Sequence, residues 1–191
     1  MELKALTRRL QEHGLLRRAV GIADGMNVDR LVADSRAATP GSLFVAVRGT
    51  TSDGHLFIDK AVNNGARAVV CEAVPERVAE GHPGTAIMEV SDSRAALAEA
   101  AAEFFGDPSR DLRMVGITGT NGKTTTAFLV HHTLNALGWR CGLIGTIQLD
   151  LGDKPVPATL TTPDAIALQQ SLRTMLDNGC TACAMEASSH A

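Results

Sequence analysis

Leu3, Leu6 and Leu10 recur at spacings of three and four in a polar opening stretch, and Gly14 follows them. That period predicts a helix over 2–13 with one apolar face turned to a core and a glycine stop. The pattern then shortens. RLVADS at 30–35, LFVAV at 43–47, ARAVVCE at 66–72 and AIMEV at 86–90 are brief apolar, β-rich runs, and each reads as a strand. HLFIDKAVNNG, 55–65, lies between two of them and has a helical pattern ending at Gly65. SDSRAALAEAAAEFFG, 91–106, is rich in alanine and predicts a helix that Ser91 or Asp92 can cap. The alternation indicates a small α/β domain.

DPSRD, 107–111, is a polar connector with a proline, and the domain boundary is placed there, giving 1–107 and 108–191. LRMVGIT, 112–118, is an apolar run ending in glycines, as a buried parallel strand would. The helix KTTTAFLVHHTLNALG follows and stops at Gly138. RCGLIGTIQ, 140–148, reads as one strand, and DLGDKPVPAT, 150–159, as a polar loop with a hairpin tip. TTPDAIALQQSLRTMLDNG, 161–179, predicts a helix with Thr162 as N-cap, Pro163 at the first helical position and Gly179 as stop. TACAMEAS, 181–188, is the last strand. This order describes a doubly wound α/β domain, whose ligand sites lie at the carboxyl ends of its strands. Three strands alone would leave a raw edge, so the chain is expected to be a piece of a longer protein.

Composition narrows the function classes. Apolar residues make up 45% of the 191, enough for a globular core. The net charge is −3 and the cations are scattered, which argues against a nucleic-acid surface. The apolar runs are too short to span a bilayer, and the first residues lack the continuous apolar segment of a signal peptide, so a cytosolic location is expected. There, disulfides rarely persist. Cys180 and Cys183 form a C-x-x-C, but on a strand they would point to opposite faces, and no second Cys/His pair completes a zinc site. They are read as plain buried cysteines. His55 and His190 are isolated and read as structural; of His131 and His132, one must face away from any site.

GITGTNGKTTT, 116–126, carries the chemistry. It departs from the Walker A spacing, because Ile117 stands where the first glycine belongs. Its context is still that of a phosphate loop: strand, glycine-rich turn, Gly-Lys-Thr, helix. Glycines let the backbone aim successive N–H groups at one anion, and the helix start adds a positive dipole end. Lys123 can neutralise β- and γ-phosphate oxygens, and the Thr124 hydroxyl can reach a magnesium ion bridging them. Glu186 ends the apolar run ACAM, where an acid is costly unless paired or metal-bound. On a strand parallel to 112–118, its carboxylate would emerge beside the loop.

These residues resemble the Mur ligase family, whose ATP loop reads Gly-Thr-Asn/His-Gly-Lys-Thr/Ser, a pattern shared by folylpolyglutamate synthetases. LIGTI, TTPDA and MEASSH are similar to the central domain of the members that add the third peptide residue, and 34–70 is similar to their UDP-binding domain. The implied fold is α/β throughout: a small N-terminal UDP-binding domain, 1–107, then the first part of a doubly wound P-loop ATP-binding central domain, 108–191. The resemblance implies ATP phosphates held by Gly119, Thr120, Asn121, Gly122, Lys123, Thr124 and Thr125, and Mg2+ held by Thr124 and Glu186. It assigns Lys123 to the transferring phosphate and, with Glu186, to catalysis. It implies substrate contacts at Ala33, Ser35, Thr50, Thr51 and Ser52 for the uridine nucleotide, and at Thr161, Thr162 and Ser188 for the muramoyl-dipeptide part. Ala187 stands where many members have Val. The family's carbamylated lysine, second-metal histidine and third domain fall beyond residue 191.

The implied activity is ATP-dependent amide-bond formation in peptidoglycan precursor synthesis. It adds a diamino acid, meso-diaminopimelate by family habit, to UDP-N-acetylmuramoyl-L-alanyl-D-glutamate through an acyl phosphate. Three alternatives stand beside it: a non-catalytic UDP-sugar and ATP-binding fragment, another ligase of the Mur or folylpolyglutamate type, and another P-loop protein such as a kinase. The last leaves the likeness over 34–70 unexplained.

Overall fold

The computed structural model describes residues 1–49, 52–74, 84–158 and 162–188. The chain forms two compact units, Met1–Phe104 and Phe105–Ala191. No helix among the described residues is long and apolar enough to cross a membrane.

The first unit opens with α1, Leu3–Glu12, whose Leu3, Leu6 and Leu10 are fully buried. Gly14 ends it at φ 67°, a conformation that costs glycine nothing. Five strands follow: β1 (Leu16–Val20), β2 (Arg30–Val32), β3 (Ser42–Val45), β4 (Ala68–Cys71) and β5 (Ala86–Val90). They form one sheet in the order β1-β5-β4-β3-β2, parallel except for β1 against β5. β1 has no counterpart among the predicted strands. Its residues Arg17, Arg18, Ala19 and Val20 are exposed, so it shows no apolar alternation, and charged residues suit an edge strand. Helix α2, Ile58–Asn63, continues a 3-10 turn at Gly54–Phe57 and packs Ile58, Ala61 and Val62 against Phe44, Val69 and Ile87. Strand alternation turns Met88 to the other face, where Thr7 of α1 meets its sulfur at 3.6 Å. Helix α3, Ser93–Phe105, is capped by Asp92, which accepts from Arg94 N–H at 2.9 Å and Ala95 N–H at 3.0 Å. Arg9 ties α1 to α3 through Glu99 at 2.6 Å and Glu103 at 3.2 Å.

In the second unit the expected connector 107–111 contains a short helix, α4 (Pro108–Asp111), with Pro108 in its first turn. Then come β6 (Arg113–Ile117), α5 (Lys123–Ala136), β7 (Cys141–Ile144), β8 (Gln148–Asp150), β9 (Val156–Pro157), α6 (Ala165–Asp177) and β10 (Ala182–Glu186). The sheet order is β6-β10-β7-β8-β9; β10 runs parallel to both β6 and β7, and the rest is antiparallel. Helix α5 covers one face through Ala127 against Leu143, Ala182 and Ala184, and α6 covers the other through Leu172 and Met175 against Ile144 and Cys183. Gly142 makes the second contact possible, since a Cβ there would lie 2.5 Å from the Met175 sulfur.

Three expectations are corrected here. β6 is parallel but not buried; it pairs only with β10 among the described residues, and Met114 is 37% exposed. The single strand expected at 140–148 is a hairpin, because the chain reverses at Gly145–Ile147 and β8 returns antiparallel to β7. The N-cap of α6 is Asp164, which accepts from Ala167 N–H at 2.8 Å; Thr162 is engaged elsewhere. The cysteine geometry also differs. Cys180 precedes β10 instead of lying on it, so Cys180 and Cys183 share one apolar cluster. All four cysteines are free and buried, and burial raises each thiol's pKa, that of Cys71 to about 12.

Candidate functional site

The carboxyl ends of β6, β7 and β10 meet at one cavity of about 870 Å3. Its lining is Thr118, the run Gly119–Thr125, Thr146, Glu186 and Ser188. Ile117 is the last residue of β6, and the loop turns at two glycines: φ is 146° at Gly119 and 75° at Gly122. Gly122 is the N-cap of α5 and offers no side chain, which leaves the first-turn N–H groups and the positive dipole end turned to the cavity. Lys123 reaches back across the loop, and its Nζ donates to Gly119 O at 2.9 Å.

Glu186 is wholly buried at the end of β10. Its Oε2 accepts from Thr124 Oγ1 at 2.9 Å and Thr146 Oγ1 at 3.1 Å, and its Oε1 accepts from Thr146 N–H at 2.8 Å. A carboxylate removed from water requires such donors. Gly145 leaves room for it; a Cβ there would stand 2.8 Å from Oε1. The carboxylate and the Thr124 hydroxyl form a hard oxygen pair beside a phosphate loop, a donor set that fits Mg2+ completed by phosphate oxygens and water. Among the described residues no three His, Cys, Asp or Glu side chains cluster as ligands, so this pair stands apart from an all-protein cage.

Thr162 Oγ1 accepts from Ser188 N–H at 3.1 Å and donates to Glu186 O at 3.4 Å, tying the start of the α6 segment to the end of β10. Of the residues assigned to the muramoyl-dipeptide part, Ser188 therefore lines the phosphate cavity and Thr162 adjoins it. Thr161 lies outside the described residues, as do Thr50, Thr51 and His190.

The first unit holds a separate cavity of about 510 Å3, with Ala33, Ser35 and Ser52 in its lining. Asp34, Arg36, Phe44, Val47, Gly49, Gly54, Phe57 and Lys60 complete it. Asp34 caps a one-turn 3-10 helix at Ser35–Ala37, and its Oδ1 accepts from Arg36 Nε at 3.0 Å while its Oδ2 accepts from Arg36 Nη2 at 2.7 Å. Hydrogen bonding to Arg36 holds the Asp34 carboxyl down at about 2.

Sequence reasoning missed Thr118 and Thr146 in the second unit and Arg36, Phe44, Phe57 and Lys60 in the first. Thr146 had a faint signal: its Gly-Thr pair interrupts an apolar run, where a strand has reason to turn. Thr118 and Arg36 adjoin Gly119 and Ser35 in the chain, whereas Phe44, Phe57 and Lys60 come to their cavity through tertiary packing.

A family model described as the Mur ligase middle domain matches residues 117–191, and one described as the Mur ligase family, catalytic domain, matches 27–105. The chain belongs to the Mur ligase family. A relative from Cytophaga hutchinsonii, named UDP-N-acetylmuramoyl-L-alanyl-D-glutamate–2,6-diaminopimelate ligase, is 48% identical over 166 residues, 87% of this chain and 34% of that protein. A solved structure under the same enzyme name superposes with a TM-score of 0.67 at 28% identity, covering 85% of this Mur ligase chain and 32% of that one. The MurF ligase of Thermotoga maritima, solved in complex with ADP, superposes with a TM-score of 0.54 at 28% identity over 87% of this chain and 33% of its own. The chain thus spans about a third of the length of the relatives it matches.

Proposed function

We propose that this Mur ligase chain forms the sugar-nucleotide and ATP-binding part of an enzyme that joins meso-diaminopimelate to UDP-N-acetylmuramoyl-L-alanyl-D-glutamate. The Thr124–Glu186 contact at 2.9 Å carries the reading, because it sets a buried carboxylate against a phosphate loop. The names of the relatives indicate the substrates, and the reading includes a cytoplasmic location. In this reading the second unit binds ATP through Gly119–Thr125, with Ser188 and Thr162 toward the peptide carboxylate, and Thr161 is assigned with them. The first unit takes the UDP part through Ala33, Ser35 and Ser52, together with Thr50 and Thr51.

An oxygen of the D-glutamyl side-chain carboxylate attacks the γ-phosphorus of ATP. The P–O bond to the β-phosphate breaks, ADP leaves, and an acyl phosphate forms. The amine then attacks the acyl carbon, the C–O bond to phosphate breaks, and an amide forms with loss of the amine proton. Both partners of the first step are anions. Lys123, released from Gly119 O, follows the charge on the transferring phosphoryl group, while the loop N–H groups hold its neighbours in line. Mg2+ held by Thr124 and Glu186 would supply further charge neutralisation on the β- and γ-oxygens. Much of the gain is positional, since a weak nucleophile is held against one phosphorus.

The test is phosphate release by the full-length enzyme. Release is expected only with ATP, Mg2+, the UDP-muramoyl dipeptide and diaminopimelate together, and Lys123→Met should lower it by roughly 10²-fold or more. Phosphate release that ignores the UDP-muramoyl dipeptide would point to an unrelated P-loop activity.

A further inference from the structure

His55 takes no part in the reaction above, yet its ring is 11% exposed and bonded at both nitrogens. Nε2 lies 2.8 Å from Glu72 N. A backbone N–H can only donate, so Nε2 is an acceptor and the ring carries its proton on Nδ1. That proton goes to Asp53 Oδ1 at 2.6 Å. Asp53 also accepts the His55 N–H at 3.0 Å, and these two contacts hold its carboxyl below the usual range. The ring therefore bridges the foot of the 48–53 loop to the chain just past β4.

The far side of the bridge is anchored as well. Glu72 accepts from Ser93 N–H at 3.1 Å and Ser93 Oγ at 2.8 Å, at the start of α3. Arg48 lies 3.4 Å from Glu72 and 3.6 Å from Asp53, and Arg94 donates to Arg48 O at 3.2 Å. The loop is narrow at its base: Gly54 N–H donates to Val47 O, and Gly49 N–H to Ser52 O, both at 2.9 Å. A Cβ on Gly54 would stand 2.7 Å from Val47 O, so this base admits little adjustment of its own. Gly49, Ser52 and Gly54 all line the first unit's cavity.

We propose that His55 is a positioning residue: its neutral ring, by spanning Asp53 and the Glu72 N–H, sets the Ser52 loop at the height the sugar nucleotide requires. This rests on the reading of that cavity as the UDP site. His55 touches no substrate; it acts through the loop. The acceptor at Nε2 is the decisive atom, because it ties the loop to the backbone just past β4, whereas Arg48 reaches only the Glu72 side chain.

Two measurements on the 191-residue chain test this. Amide hydrogen exchange without ligand reads the loop directly. His55→Ala should speed exchange at Gly49 and Gly54 about tenfold, with α1 unchanged. His55→Gln, whose Oε1 can accept from Glu72 N–H, should recover most of the protection, whereas His55→Asn, too short to reach it, should not. Unchanged exchange at Gly49 and Gly54 in His55→Ala, or equal acceleration through α1, overturns the proposal. Calorimetry with UDP-N-acetylmuramoyl-L-alanyl-D-glutamate supplies the second measurement: Kd should rise about tenfold in His55→Ala and His55→Asn, with ADP binding unaltered. Loop exchange that changes while Kd stays constant overturns the link to the sugar nucleotide. A parent chain that binds no UDP sugar contradicts the reading of the cavity and leaves the exchange result standing.

Discussion

Glu186 sits with no solvent contact among donors from Thr124 and Thr146. Its importance was legible, since an acid closing an apolar run has to be satisfied by something. Thr146 left only the faint signal of its Gly-Thr pair, because the β7–β8 reversal is what brings it to the carboxylate. Thr162 illustrates a residue whose type suggested the wrong partner. A threonine before Pro163 suits an N-cap, but Asp164 is closer to the free N–H groups of α6, and the Thr162 hydroxyl is spent on the end of β10. Two substitutions separate charge from space at this site. Glu186→Gln keeps the shape and should weaken Mg2+-dependent nucleotide binding by at least about 100-fold, read by ADP titration with and without Mg2+. Gly145→Ala keeps the charge but drives a methyl group against Oε1, and should cost about 1–3 kcal/mol in chemical denaturation and weaken the same binding.

At the scale of elements, periodicity located α1, short apolar runs located the parallel strands of the first unit, and the Gly-Lys-Thr turn located α5. Such patterns failed at β1 and at β8. β1 is an exposed edge strand with two arginines, and β8 belongs to a hairpin whose turn lies inside an apolar run. The joint between β4 and α3 has a pH signature. Hydrogen bonds from Ser93 hold the Glu72 carboxyl below its ordinary 4.5. A lowered carboxylate contributes stability that is present above 4.5 and lost as pH falls through its folded value. The melting temperature of the first unit should thus fall as the pH drops below about 4.5, with a shallower fall in Glu72→Gln. The buried cysteines make a parallel case. With their thiols raised by burial, none should react with a thiol reagent at pH 7 faster than the protein unfolds.

At the scale of the whole chain, two α/β units carry two cavities of different character. One is a phosphate loop with a buried carboxylate, and the other is a pocket with hydroxyls, two phenylalanines and a lysine in its lining. The loop could be recognised from eleven residues because its chemistry is local and backbone-driven. The second pocket could be recognised only by likeness over 34–70, since neither Ser35 nor Ser52 is informative alone. In the proposed reaction ATP activates the D-glutamyl carboxylate by phosphorylating it. The most direct measurement uses UDP-N-acetylmuramoyl-L-alanyl-D-glutamate labelled with oxygen-18 in that carboxylate, turned over by the full-length enzyme with ATP and diaminopimelate. Every phosphate released should carry one labelled oxygen. Label found in AMP, or lost to water with none in the phosphate, would contradict it.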